Sequence, residues 1–235
     1  MPTPRMQTVD LVVPIKPLHT AKSRLRGAAD NGVGEAAAHE RLALAIALDT
    51  IVAARAAERV RAVLVVTSDP TVTRELATEG VAVAPDGPAA GLNPALRYGV
   101  HVLRDRDPSA AVGALQADLP ALRPAELDEA IDVAAAVFAA GPVRRAYCAD
   151  AHGAGTTLLL SAPATALGPR FGPGSAARHR RSGAYPLPGA WPGLRRDVDT
   201  EEDLRRAADL GVGRRTRGVL TLCGGGCGDA VEIVS

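Results

Sequence analysis

The feature that most constrains the fold is a repeated alternation of short apolar runs with longer segments of helical character. The apolar runs are rich in β-branched residues, which is typical of buried strands, and the longer segments are rich in Ala, Leu, Glu and Arg. This alternation predicts an α/β protein with a mostly parallel central sheet, helices on both faces and right-handed crossovers. A first strand starts at Val9; later strands are predicted at 61–67, 81–84 and 110–115, and helices at 34–56, 72–79, 92–104 and 126–139.

The pattern changes in the last third of the chain. Strands are predicted at 144–148 and 156–161, a short helix within the loop 168–183, irregular chain at 186–193 and the end of a strand at 194–200. Thr200 is predicted to start a helix, because its hydroxyl is followed three residues later by Asp203. We expect a single domain over residues 1–216 and a poorly ordered tail over 217–235.

Composition excludes several classes of protein. The chain has 235 residues, of which 47% are hydrophobic, enough for one well-buried core. A net charge of +1 and 3% aromatic residues argue against a nucleic-acid partner. The sequence shows no apolar run of transmembrane length and no signal-peptide pattern, so we expect a cytoplasmic protein without a membrane partner. Three cysteines do not make a disulfide framework.

The first predicted strand opens into a cationic loop. Pro14 and Pro17 stop the strand, because proline has no N–H for a sheet ladder. The chain has 27 lysines plus arginines, but only two are lysines, Lys16 and Lys22, and both lie in this loop with Arg24. A lysine ammonium is a compact charge that a guanidinium does not replace freely. The loop is therefore a candidate phosphate-binding segment, and the alternative is an ordinary solvated loop.

Three aspartates are candidate metal ligands. Asp118 directly follows the predicted strand 110–115, and ligands of such sheets bind at the carboxyl ends of strands. Asp197 and Asp199 are two residues apart, so an extended segment would place both on one side. Carboxylates facing cationic side chains predict a polyphosphate site with Mg²⁺. The alternative is that Asp197 and Asp199 only stabilise the N-terminus of the following helix.

Glycine-rich segments supply further candidates. Gly91 allows close approach of the backbone to a ligand, and Asn93 offers the donor and acceptor that a purine edge needs. The turns at 153–157 and 171–175 could hold a small carboxylate through backbone N–H groups and hydroxyls. Ordinary turns and a helix cap are the alternatives for these segments. His179, one turn after the second glycine segment, is either a donor to an anion or a surface side chain.

Seven short motifs, in order between about Val9 and Thr216, resemble the phosphoenolpyruvate / 2-phospho-L-lactate guanylyltransferase family. They are Pro14-Ile15-Lys16-Pro17, Ala21-Lys22-Ser23-Arg24-Leu25, Gly91-Leu92-Asn93, Ala117-Asp118-Leu119-Pro120, Gly155-Thr156-Thr157, Phe171-Gly172-Pro173-Gly174-Ser175 and Asp197-Val198-Asp199-Thr200. Each motif is weak alone, and the seven together are specific. The resemblance implies a single-domain fold like that of nucleotide-diphospho-sugar transferases, of the glycosyltransferase-A type, and a role in making the deazaflavin coenzyme F420.

The resemblance also implies a reaction, in which a phosphate oxygen of a three-carbon acid attacks the α-phosphorus of GTP and pyrophosphate leaves. It implies roles for eleven residues, as follows: Asp118, Asp197 and Asp199 hold Mg²⁺; Thr157, Gly172 and Ser175 receive the acceptor carboxylate; Lys16, Lys22 and Arg24 bind the triphosphate; Gly91 and Asn93 face guanine. Lys16, Lys22 and Asp118 are the implied catalytic residues. Phosphoenolpyruvate is the expected acceptor, and the product is expected to pass to a downstream transferase.

Several alternatives stay open at this point. The acceptor could be 2-phospho-L-lactate, or a pterin or sugar phosphate used by a related nucleotidyltransferase. A nucleotide-binding regulator without activity is a different class, which the three aspartates disfavour. The oligomeric state is open, with a homodimer among the alternatives, and the segment with Cys223 and Cys227 has no assigned role.

Overall fold

The computed structural model describes residues 8–21, 23–30, 32–87 and 91–224, which form a seven-stranded sheet with helices packed against it. The strands are β1 (Val9–Pro14), β2 (Val60–Val66), β3 (Ala82–Ala84), β4 (Val112–Leu115), β5 (Arg145–Ala149), β6 (Thr156–Ser161) and β7 (Tyr185–Pro186). The helices are α1 (Ala36–Ala56), α2 (Pro70–Thr78), α3 (Leu92–Arg106), α4 (Pro124–Ala140), α5 (Ser175–Arg181), α6 (Pro192–Arg195), α7 (Glu201–Leu210) and α8 (Arg214–Gly224). Two 3-10 turns lie at Leu18–Thr20 and Ser23–Leu25.

The order of the strands across the sheet is β3-β2-β1-β4-β6-β5-β7. β1 pairs in parallel with β2 and β4, β2 with β3, and β5 with β7, whereas β6 is antiparallel to both of its neighbours. The prediction of a mostly parallel sheet is therefore confirmed. The chain leaves β1 on one side toward β2 and later returns to its other side as β4, and ligands of such sheets bind at this switch point, beyond the carboxyl ends of the strands.

β1 is the centre of the core, and its side chains alternate between the two faces of the sheet. Leu11 and Val13 pack in one cluster with residues of α1 and α4, and Val12 packs in another with residues of α3. All three side chains are fully buried, so both faces of the strand are covered and helices flank the sheet on both sides, as predicted. None of the helices in the described ranges is both long and apolar enough to cross a membrane.

The segment before α7 differs from the prediction. Residues 194–200 are not a strand, because Pro192–Arg195 form the short helix α6 and the residues that follow make no sheet ladder. Val198 is nevertheless fully buried, and its N–H donates to the Asp118 carbonyl at 3.0 Å. The helix start at Thr200 is confirmed, since Thr200 and Asp203 form a reciprocal capping box.

The chain after residue 213 also differs from the predicted tail. Residues Arg214–Gly224 form α8, which packs against α1. The buried Asp49 carboxylate of α1 accepts the N–H groups of Arg215 at 3.2 Å and Thr216 at 2.8 Å, so one side chain binds the start of the helix. The rest of the predicted tail, including Cys227, lies outside the described residues.

Gly99 on α3 lets this helix approach the sheet closely, and we predict that Gly99→Ala destabilises the protein. A Cβ at this position would lie 2.5 Å from Val12 Cγ1 and 2.8 Å from Val66 Cγ2. Overpacking of this kind costs about 1–3 kcal/mol, which exceeds the gain of roughly 1 kcal/mol in helix propensity. Urea unfolding measures the change. Gly141→Ala, where no atom lies within 4 Å of the added Cβ, is the control. Equal stability of the two variants would contradict the close packing.

Candidate active site

A cavity of about 640 Å³ opens at the carboxyl ends of β1 and β4, where the topology predicts a ligand site. Its wall includes the segment after β1, the segment after β4, the two glycine-rich turns, the chain before α7 and apolar residues of α1. Polar and glycine residues of the wall include Lys16, Arg24, Gln116, Asp118, Asp150, Gly155, Thr156, Gly172, Gly174, Ser175, Asp197 and Asp199.

The cationic side of the cavity is the loop after β1. Lys16 and Arg24 are exposed and line the cavity, as predicted, whereas Lys22 lies outside the described residues. Two contacts from other elements hold the loop: Leu18 N–H donates to Asp69 Oδ2 at 2.8 Å, and His39 Nε2 lies 2.6 Å from the Ala21 carbonyl oxygen. The loop is therefore fixed to the end of β2 and to α1.

Asp69 joins the loop to α2. Its Oδ1 accepts the N–H groups of Thr71 at 2.9 Å and Val72 at 3.1 Å, which caps α2, while Oδ2 accepts Leu18 N–H. Burial acts to raise the pKa of Asp69, but these three N–H groups outweigh it and hold the pKa below its usual value. One ionised side chain thus serves the helix cap and the position of the cationic loop.

The acidic side of the cavity gathers the three predicted metal ligands. Asp118, Asp197 and Asp199 all line the cavity, and the hydrogen bond from Val198 N–H to the Asp118 carbonyl joins their two segments. Capping of α7 is carried out by Thr200 and Asp203, whose backbone and side-chain contacts are 3.0 and 3.2 Å long. The carboxylates of Asp197 and Asp199 are therefore not needed as the cap.

These oxygen donors fit a hard divalent cation. Among the described residues, no three acidic, histidine or cysteine side chains are grouped closely enough to hold a metal ion by themselves. Mg²⁺ is commonly held by one or two carboxylates, with phosphate oxygens and waters as its other ligands. A cavity wall with three carboxylates is chemically suited to that mode of binding.

The first glycine-rich turn is held by the buried Asp150 rather than left open for an anion. Asp150 accepts the N–H groups of Ala154 at 2.9 Å and Gly155 at 2.6 Å. A Cβ on Gly155 would lie only 2.3 Å from Asp150 Oδ2, so glycine is required for this contact. The predicted anion-binding N–H groups of this turn are thus already used by the protein.

Thr156, rather than the predicted Thr157, lines the cavity. The two are neighbours on β6 and project to opposite faces of the sheet. Thr156 Oγ1 lies 3.1 Å from the Ser175 hydroxyl, which also lines the cavity. The Thr157 side chain is 1% exposed and is absent from the cavity wall.

The second glycine-rich turn lines the cavity, as predicted, through Gly172 and Ser175. Gly172 has a φ of +114°, and a Cβ there would approach Arg178 Nη2 to 3.2 Å, so a side chain at this position would be strained. Asn93 holds the turn: its Nδ2 donates to the Phe171 carbonyl at 3.0 Å, and its Oδ1 accepts Phe171 N–H at 2.7 Å. Asn93 therefore holds this turn, and its predicted contact with guanine stays a prediction.

Gly91 is the N-cap residue of α3, with a φ of +113°. It lies next to Leu92 of the cavity wall and is not itself on that wall. The residues 88–90 that precede it lie outside the described part of the chain.

His179 is neither at the surface nor on the cavity wall. Its side chain is fully buried beside the Phe171 ring, with the ring centroids 5.1 Å apart. Burial lowers the pKa of His179 to about 4, and the positive charges of Arg178, Arg145 and Arg170 add to this effect. His179 is therefore neutral at physiological pH. Its position one turn after a glycine segment was the only sequence signal, and that signal did not show its burial.

The fold defines a class of protein, the glycosyltransferase-A type of α/β fold, and Lys16, Arg24 and the three aspartates line one cavity at the switch point of its sheet. The structure is similar to that of a protein described as a nucleotide-diphospho-sugar transferase from Desulfovibrio desulfuricans G20, with a TM-score of 0.63, 15% identity and coverage of 91% and 93% of the two chains. A Methanothermobacter nucleotidyl transferase has a TM-score of 0.57 and 17% identity, with coverage of 86% of this chain and 97% of the other.

Sequence relatives define the particular family. A phosphoenolpyruvate guanylyltransferase of Streptomyces scabiei (strain 87.22) is 52% identical over 211 residues, which cover 88% of this chain and 93% of the relative. One of Salinispora arenicola (strain CNS-205) is 50% identical over 218 residues, 93% of this chain and 94% of the relative. No protein-family model matches the chain. With these relatives, the chain belongs to the phosphoenolpyruvate guanylyltransferase family.

We predict that Asp69→Asn lowers the free energy of unfolding by about 1–3 kcal/mol, because an amide cannot accept all three N–H groups with its single oxygen. Since the folded pKa of Asp69 is lowered, its contribution is present at neutral pH and is lost on acidification through that lowered pKa. Urea unfolding at neutral pH measures the loss. Asp209→Asn, at an exposed position on α7, is the control and should be neutral. Equal effects of the two substitutions would contradict the role of Asp69.

The neutral state of His179 predicts a pH dependence of stability. Because its folded pKa of about 4 lies below the ordinary value of 6.5, the unfolded chain binds more protons as the pH falls between these values, and stability decreases. We expect the stability of the wild type, relative to His179→Gln, to fall by about 2 kcal/mol from about pH 7 to about pH 5. Urea unfolding at each pH measures the difference. A constant difference would show that the pKa of His179 is not lowered.

Proposed function

We propose that the chain transfers GMP from GTP to phosphoenolpyruvate, which gives enolpyruvoyl-2-diphospho-5′-guanosine and pyrophosphate. The observation that carries the proposal is the meeting of Lys16 and Arg24 with Asp118, Asp197 and Asp199 around one cavity, in a chain of this family. The product is an activated diphosphate, so a transferase that consumes it follows in the sequence of reactions. We propose that these reactions belong to the biosynthesis of coenzyme F420.

The reaction is a displacement at phosphorus. An oxygen of the acceptor phosphate forms a bond to the α-phosphorus of GTP, while the bond from that phosphorus to the oxygen bridging to the β-phosphorus breaks and pyrophosphate leaves. The second pKa of a phosphate monoester is about 6, so the acceptor is already a nucleophile at neutral pH. The protein therefore needs no general base, and its main task is to align two anions that repel each other.

In this proposal the cationic loop binds the nucleotide. Lys16 and Arg24 bind the triphosphate of GTP from the side of the cavity beyond β1. Lys22 is proposed as a third residue that binds the triphosphate. Their positive charges reduce the repulsion between the triphosphate and the incoming acceptor phosphate. Asp69 and His39 keep this loop in position through Leu18 and the Ala21 carbonyl.

Asp118, Asp197 and Asp199 are the proposed holders of Mg²⁺. The support is their common place on the cavity wall and their oxygen-only donor chemistry. When bound, the cation supplies charge that stabilises the phosphate oxygens during the transfer. The acceptor carboxylate is assigned to the second glycine-rich turn, where Gly172 has no side chain and where Ser175 and the neighbouring Thr156 carry hydroxyl groups.

The proposal is tested by incubating the purified chain with GTP, Mg²⁺ and one acceptor at a time, followed by mass spectrometry of the product and an assay of pyrophosphate. The acceptors are phosphoenolpyruvate, 2-phospho-L-lactate and a sugar phosphate. The expected result is the guanylated diphosphate with phosphoenolpyruvate. Preferred turnover of another acceptor would overturn the substrate assignment, and binding of GTP with no turnover on any acceptor would favour a regulatory protein.

We predict that Asp118→Asn reduces pyrophosphate release to background while the fold stays intact, because an amide is a poor ligand for a hard cation beside phosphates. Circular dichroism and thermal unfolding check the fold. Asp209→Asn, which removes a carboxylate far along the chain on α7, is the matched control and should keep full activity. Near-normal turnover by Asp118→Asn would show that Asp118 is not a metal ligand.

A further inference from the structure

A fully buried histidine lies directly behind two hydroxyl groups of the cavity wall. His179 Nδ1 is 2.9 Å from Thr156 Oγ1, and Thr156 Oγ1 is 3.1 Å from Ser175 Oγ. Both hydroxyl-bearing residues line the cavity, whereas the imidazole does not. The histidine can therefore influence a ligand through this hydroxyl pair.

The tautomer of His179 is fixed by the backbone. Arg170 N–H donates to His179 Nε2 at 2.9 Å, and a backbone N–H can only donate. Nε2 is therefore the unprotonated nitrogen of the neutral ring, and Nδ1 carries the proton. It follows that Nδ1–H donates to Thr156 Oγ1 and cannot accept a proton from it.

This tautomer decides what the hydroxyl pair can do in the cavity. Thr156 and Ser175 have two hydroxyl protons between them, and one proton is used in the hydrogen bond that joins the two oxygens. Among the described residues the other proton has no protein acceptor, so the pair can donate into the cavity. With the opposite tautomer, Thr156 would donate to Nδ1 and Ser175 to Thr156, and no donor would remain.

We propose that His179 is a positioning residue that makes the Thr156–Ser175 hydroxyl pair a hydrogen-bond donor toward the carboxylate of the acceptor acid. This inference rests on the proposed function, which supplies a ligand with a carboxylate. A carboxylate only accepts hydrogen bonds, whereas a neutral amide or alcohol also has a proton to donate. A hydroxyl pair that can only donate into the cavity therefore selects a carboxylate over these neutral groups. The phosphates of GTP share the same anionic oxygen chemistry, and the test distinguishes these two sources.

Two variants of the same shape separate the hydrogen-bond pattern from packing. In His179→Gln, the amide oxygen can accept Arg170 N–H while the amide nitrogen donates to Thr156, so the donor pattern is kept. In His179→Glu, an ionised carboxylate is an acceptor only and takes the proton of Thr156. His179→Leu is the third variant, with no polar group, and serves if the glutamate variant does not fold.

Steady-state kinetics of each variant gives the KM for phosphoenolpyruvate, the KM for GTP and kcat. For His179→Glu we expect the KM for phosphoenolpyruvate to rise roughly 10- to 100-fold, the change that loss of a hydrogen bond to a charged group produces. We expect the KM for GTP to stay within about threefold, and His179→Gln to stay close to wild type in all three parameters. For His179→Leu we expect a rise in the KM for phosphoenolpyruvate of about 3- to 10-fold, because the donor is kept but its orientation is lost.

The outcomes are distinguishable. Suppose that the wild type is active. If the glutamine variant then has the same KM for phosphoenolpyruvate as the glutamate variant, the positioning role is overturned while the proposed function stands. Where the glutamate variant does not fold, the leucine variant takes its place in this comparison. A change confined to the KM for GTP would assign the hydroxyl pair to a nucleotide phosphate and overturn the acceptor assignment. If the wild type is inactive, the proposed function fails, and calorimetric binding of phosphoenolpyruvate to the wild type and the same variants tests the positioning role directly. Equal or absent binding throughout then overturns it as well.

Discussion

The hydrogen bond from Val198 N–H to the Asp118 carbonyl is the interaction on which the site depends. It joins two segments that are far apart in the chain and brings Asp197 and Asp199 to the wall that carries Asp118. Supporting contacts make it rigid: Val198 is fully buried, and the helix just before it is held by the Glu126 carboxylate, which accepts the first N–H groups of α6. Because Glu126 lies on the helix that follows Asp118, one region of the chain fixes both halves of the acidic wall.

The charged groups of the cavity suit a reaction whose main cost is the repulsion between two phosphate groups. Two unit charges of the same sign about 4 Å apart repel by roughly 4 kcal/mol at an effective dielectric constant of about 20. The fixed positive groups of Lys16 and Arg24, together with a cation at the proposed site of the three carboxylates, can offset a cost of this size. A flexible loop could not do this well, since it would have to be ordered in every cycle, and the ionised Asp69 removes that need by holding the loop through Leu18.

The sequence predicted those features of the fold and the site that depend on local pattern or on a general rule of α/β sheets. Apolar alternation located the strands, and the carboxyl-end rule placed Lys16 and Asp118 at one edge before any coordinates were known. Features that depend on distant contacts were missed. Asn93 binds the backbone of Phe171, 78 residues away, and no local pattern shows that its amide is already used. To predict that Thr156 and not Thr157 lines the cavity, the orientation of β6 must be known, and this orientation is determined by its pairing with β4 and β5.

The error at residues 194–200 has a similar cause. The sequence predicts a strand ending here, but Leu194 belongs to α6, and the buried Val198 donates its N–H to the Asp118 carbonyl rather than to a sheet neighbour. The consequence expected from a strand, two carboxylates toward one site, is found without the strand, because Asp197 and Asp199 both line the cavity.

The buried imidazole of His179 has a positioning role at this site and is not a general base. A histidine beside a phosphoryl-transfer cavity invites the role of general base, but both nitrogens of His179 are engaged and burial keeps the ring neutral without giving it contact with the cavity. The acceptor phosphate needs no base, because it is ionised at neutral pH. What the acceptor does need is a fixed orientation relative to the α-phosphorus, and a histidine whose tautomer is set by a backbone N–H gives its hydroxyl neighbours a fixed donor direction at no cost of reorganisation during the reaction.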